Sequence, residues 1–84
     1  FASVREVTEK RFNSMLECLP PLSWTNNDGV SSFLLREPVT DNWYMCFVKV
    51  GDKYYEGHSD YMNEHPLERH QRFMKMVEEG KLSE

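Results

Sequence analysis

The chain has 84 residues, enough for one small domain with a modest core, because so short a protein hides only about 60% of its unfolded surface. Hydrophobic residues make up 39% and charged residues 29%, which excludes a disordered composition. A net charge of −4 argues against a nucleic-acid backbone as the main partner, since such binding needs clustered Lys and Arg, and the run Arg69, Arg72, Lys75 is broken up by Glu68, Glu78 and Glu79.

No apolar run approaches the roughly 20 residues that cross a bilayer, and the N-terminus lacks the basic-then-apolar layout of a signal peptide. A cytoplasmic protein with no membrane contact is therefore expected. Ser3 with Glu6 fits a capping box and Thr8 is a second N-cap candidate, so the first helix is predicted to start between them. Pro20-Pro21 ends it. Phe12, Met15, Leu16 and Leu19 share one face of this helix, and Arg5, Glu9 and Asn13 fall on the other.

Ser23 to Val30 reads as a connecting loop with a turn signal at Asn26-Asn27-Asp28-Gly29, and Trp24 is expected to plug one end of the core. Phe33, Leu34 and Leu35 suggest a first strand from Val30 to Arg36, closed by Glu37-Pro38. The stretch from Asn42 to Tyr55 reads as a β-hairpin. Its aromatic and β-branched residues meet Gly51-Asp52, a two-residue loop suited to a type II′ turn. After Tyr55 the strand signal fades through Gly57-His58-Ser59-Asp60. Pro66 then fits the first position of a second helix with Leu67, His70, Phe73, Met74 and Val77 as its apolar stripe, and Gly80 stops it. The expected fold is α+β: helix, three-stranded antiparallel sheet, helix (αβββα), one domain over residues 1–84, with both helices on one sheet face.

Placing Gly51-Asp52 in the loop pairs Val50 with Lys53, Lys49 with Tyr54, Val48 with Tyr55, Phe47 with Glu56 and Cys46 with Gly57. One face then carries Tyr44, Cys46, Val48, Val50 and Tyr55 and is expected to lie under the helices. The other carries Trp43, Met45 and Phe47 beside Lys49, Tyr54, Glu56 and His58. Two readings of that mixed face stand side by side. An open surface binds a protein partner or a second copy of the chain through Trp43, Met45, Phe47, Lys49, Tyr54 and Glu56; otherwise the N-terminal segment or the Trp24 loop folds over it.

The motifs for chemistry are weak. His58, Asp60, Glu64, His65, Glu68 and His70 crowd together, but His65 and His70 are five residues apart, about 140° around a helix, and diverge. A metal site or catalytic module around His58, Asp60 and His65 is the rival reading, set against an exposed polar connector. Cys18 and Cys46 are expected to be reduced, buried thiols, with a disulfide credible only after export. No glycine-rich phosphate loop occurs, no cofactor is implied, and a non-enzymatic role is favoured.

Thr8-Glu9, Phe12, Leu16, Leu19-Pro20-Pro21, Trp24, Ser32-Phe33, Glu37, Gly51 and Tyr54-Tyr55 together resemble small uncharacterised bacterial proteins of plasmids and other mobile elements, over about residues 8 to 56. Arg36 departs from the small polar residue usual there, and the second helix has no counterpart in the pattern. The resemblance implies no assigned activity. It suggests a regulator or inhibitor that acts by occupying the surface of another protein.

Overall fold

The computed structural model describes residues 2–36, 44–59 and 65–80. Strand β1 (Ala2–Val7) leads into helix α1 (Glu9–Cys18), then β2 (Ser23–Asn27), β3 (Val30–Arg36), β4 (Tyr44–Val50), β5 (Lys53–Ser59) and helix α2 (Pro66–Glu78). The strands form one antiparallel sheet in the order β1-β5-β4-β3-β2.

The local signals explain most of the element boundaries. Thr8 caps α1 by accepting a hydrogen bond from the Arg11 backbone N–H at 3.1 Å. The helix ends at Leu19, whose extended backbone precedes Pro20-Pro21. Pro66 opens α2, and His65 caps it by accepting from the Leu67 N–H through Nδ1. The β4–β5 register is the one that the Gly51-Asp52 loop dictates, with Val50 opposite Lys53 and Phe47 opposite Glu56. Gly51 has φ +61° and Asp52 is not in the left-handed region, as a type II′ turn requires.

Two parts of the expected αβββα fold are corrected. Among the described residues the sheet has five strands rather than three, and the helices lie on opposite faces rather than together. Ser3 and Glu6 imitate a capping box inside what is a strand, β1, which adds antiparallel to β5. Asp28 and Gly29 are both left-handed, with φ of +53° and +80°, and make the tight turn that folds Ser23–Asn27 back onto β3. The expected loop is thus an edge strand. Trp24, expected inside, is 67% exposed on it.

The apolar side chains of β3, β4 and β5 divide by alternation. Leu35, Met45, Phe47, Phe33 and Tyr54 face α1, which supplies Phe12, Met15, Leu16 and Leu19. Cys46 and Val48, with Val4 of β1, face α2, which supplies Phe73, Met74, Met76 and Val77. Phe12 sits edge-on to Phe33 and Phe47 at 6.0 Å between ring centroids, a favourable quadrupole geometry. Among the described residues no helix is long and apolar enough to cross a membrane.

Gly57 lets α2 approach the sheet. A Cβ at this position would collide with the buried Phe73 ring. Gly57→Ala should therefore cost about 1–3 kcal/mol in urea denaturation through overpacking, and the loss should shrink in a Phe73→Leu background. Wild-type stability in Gly57→Ala would mean that α2 is not seated over β5.

Candidate functional site

The mixed hairpin face is not open. Met45 and Phe47 are buried beneath α1, Tyr54 packs on Phe12 at 5.0 Å between centroids, and Lys49 reaches over the Tyr54 ring at 5.6 Å. This corrects the premise of a partner surface on that face: α1, rather than the N-terminal segment or the Trp24 loop, covers it. Trp43 lies outside the described residues. Glu56 is fully buried and is the polar centre of this side.

Its carboxylate accepts hydrogen bonds from two arginines. Arg5 donates Nε and Nη2 to Oε2 at 3.0 and 2.7 Å, and Arg11 donates the same pair to Oε1 at 3.2 and 2.6 Å. The cross-strand register sets Arg5 directly opposite Glu56, and the first turn of α1 brings Arg11 to its other oxygen. His58 Nε2 stands 3.6 Å from Oε2. Burial by itself would raise the Glu56 pKa; His58, Arg11 and Arg5 outweigh it and hold the group at about 2.

The opposite face carries an uncharged polar chain. Ser32 Oγ lies 2.9 Å from Cys46 Sγ and 2.7 Å from His70 Nδ1, while His70 Nε2 reaches Ser23 Oγ at 3.0 Å. Burial first and the nearby Arg69 charge second lower the His70 pKa, so the ring sits neutral, one nitrogen accepting and the other donating. Arg69 is itself buried, stacked over the Tyr44 ring at 4.1 Å. Cys46 and His70 are 3.9 Å apart, a spacing that invites a thiol–imidazole reading. The environment defeats it. Burial pushes the Cys46 thiol up to about 12 and leaves no accessible sulfur for a substrate. The expectation of two buried thiols holds for Cys46 and is corrected for Cys18, which is exposed on α1.

The metal reading fares no better. His58 leans on Glu56, His65 spends Nδ1 on the α2 cap, and Asp60 lies outside the described residues. Among the described residues no three His, Cys, Asp or Glu side chains gather into a metal-sized group.

The sheet edges and a groove beside α2 are further candidates. In a two-residue hairpin the closing pair Asn27–Val30 is hydrogen-bonded, so by alternation Ser23 and Thr25 also bond inward. The backbone N–H and C=O of Trp24 and Asn26 then point away from β3. β1 guards its own edge with Arg5 and Glu6, whereas Ser-Trp-Thr-Asn-Asn carries no charge and sits beside exposed Leu22. Between β2 and α2 runs an open groove of ≈ 870 Å³. Val30, Val50 and Tyr55 form its floor, Leu67, Met74 and Val77 its apolar wall, and Asp28, Gln71, Lys75 and Glu78 its rim. Sequence reasoning passed over this groove. Its nearest signal was Asp28-Gly29, which specifies a hairpin and hence an edge strand. No protein-family model matches the chain, and neither the curated proteins nor the solved structures yield a match.

The two polar clusters make stability fall on the acid side in two stages. His70 has a folded pKa below its unfolded value of 6.5, so the unfolded chain binds more protons below that pH and stability declines there. Glu56 has an unfolded value of 4.5 and a folded one of about 2, so its contribution is complete above 4.5 and lost towards 2. With both arginines partly in solvent, that second loss should be about 1–2 kcal/mol. Urea denaturation across this pH range checks it: Glu56→Gln should flatten only the lower limb and His70→Asn only the upper.

Proposed function

We propose that this chain is a non-enzymatic protein-interaction module that takes an extended segment of a partner protein as a sixth strand on β2. The observation that carries the reading is the uncharged β2 edge opening directly onto the groove beside α2. Edge addition of this kind draws affinity from main-chain hydrogen bonds and selectivity from alternate side chains that drop into a neighbouring pocket. Trp24 and Asn26 offer the hydrogen bonds. The floor at Val30, Val50 and Tyr55 receives the apolar side chains.

Charge narrows the occupant. Asp28 and Glu78 outnumber Lys75 on the rim, and the whole chain carries −4, so the fitting segment alternates apolar with basic residues. A second copy of the chain brings the same negative charge to the interface and fits less well. Such capture regulates a partner by sequestering its strand, with no chemistry required.

The test uses synthetic eight-residue peptides that alternate Val or Leu with Lys or Arg, titrated into isotope-labelled protein. Saturable shifts are expected at Trp24, Asn26, Gln71 and Met74. Asn26→Pro removes one outward N–H, Glu78→Lys reverses a rim charge, and each should weaken binding about tenfold. Absence of binding by every peptide, or full binding by Asn26→Pro, would sink the proposal. So would light scattering that shows a dimer dissociated by Asn26→Pro, because the edge would then belong to a second copy.

A further inference from the structure

The geometry around Glu56 points to an oxyanion site, and we infer that Arg5 and Arg11 together bind a phosphate-type group on the α1 face. This site is independent of the β2 edge and lies on the opposite side of the sheet.

Glu56 is buried, yet the groups that pair with it are not. The side chains of Arg5 and Arg11 are 58% and 43% exposed. A carboxylate whose only task was to fill the row beside Phe47 would be replaceable by an apolar side chain at little or no loss. What the carboxylate does here is fix two guanidinium groups, one on each of its oxygens. Each has five N–H donors in a rigid fork, and each spends its Nε and Nη2 on one oxygen of Glu56. Among the described residues nothing else bonds the Nη1–Nη2 edge of either fork, the edge that grips phosphate in a bidentate manner.

The local charge is favourable although the chain is acidic. One carboxylate against two guanidiniums leaves a net positive charge. The neighbouring acids point elsewhere. Glu6 alternates to the α2 face, opposite Tyr55, where Lys53 Nζ approaches it at 3.7 Å. Glu9 precedes Arg11 by two residues in α1, about 200° around the helix, so the two do not face each other. Among the described residues, a phosphate meets two preorganised arginines whose shared carboxylate, Glu56, is already filled, while Glu6 and Glu9 face away from Glu56 and Arg11 respectively. Free phosphate and a phosphorylated serine present the same chemistry.

Titration with inorganic phosphate at constant ionic strength, followed through the arginine Nε–H signals, tests the site. Arg5 and Arg11 should shift together and saturably. Arg5→Lys and Arg11→Lys should each weaken binding about tenfold, because an ammonium cannot reproduce the fork. Glu56→Gln gives the decisive sign. It raises the positive charge, so diffuse attraction predicts tighter binding, whereas loss of the anchor that aligns the forks predicts weaker binding. If Glu56→Gln does not fold, the two lysine variants and the wild-type arginine signals still decide. A parallel titration with O-phosphoserine separates the sources: equal affinity indicates the free ion, and tighter binding a phosphorylated side chain. Unsaturable shifts, unchanged binding in both lysine variants, or tighter binding in Glu56→Gln would overturn the inference.

Discussion

Met45, Cys46, Phe47 and Val48 are four consecutive buried residues, and strand alternation sends them to opposite faces of the sheet. A strand of this kind needs an apolar cover on each side and a strand along each edge. β3 and β5 supply the edges. α1 and α2 supply the covers. The positions of the remaining elements follow from this requirement: α1 carries the chain from β1 to β2 across one face, and α2 packs on the other. Gly57 is the local concession, its missing side chain making room for the Phe73 ring.

Each face carries one polar cluster within its apolar cover, and the two are built differently. On the α1 face the charge of Glu56 is answered by cations that keep their outer edges in water. On the α2 face Ser32, Cys46, His70 and Ser23 answer one another without any net charge. The physical difference is access. Arg5 and Arg11 sit at the rim, where long side chains keep their heads hydrated, while His70 lies under the helix, where protonation is penalised. The first cluster therefore faces outward and has donors to offer. The second locks α2 in place.

The central strands are saturated by their own protein, which leaves outward-facing backbone groups only at the sheet margins among the described residues. β1 protects its edge with charge and β2 does not, and the groove lies on the unprotected side. A domain this small has few places where backbone groups and apolar side chains can both meet a partner. The β2 edge beside α2 combines them.

The residues themselves determined both helices and the β4–β5 hairpin, because the signals involved are local. Thr8, Pro20-Pro21, Pro66 and Gly80 punctuate the helices through their own backbone chemistry, and Gly51-Asp52 fixes a register through the geometry of a two-residue turn. The edge strands were hard to read because they are edges. Ser23–Asn27 is polar and Ala2–Val7 has one fully buried valine, Val4, so neither shows the apolar alternation of a half-buried strand. Only tertiary packing decided that α1 covers Met45 and Phe47. The unbroken apolar run from Trp43 to Val48 was the available hint, since a strand with one wet face alternates with polar residues and this one does not. Packing also decided the meaning of Glu56, which in the sequence is one acid among fourteen. It became distinctive when the fold brought Arg5 and Arg11, 51 and 45 residues away along the chain, to its two oxygens.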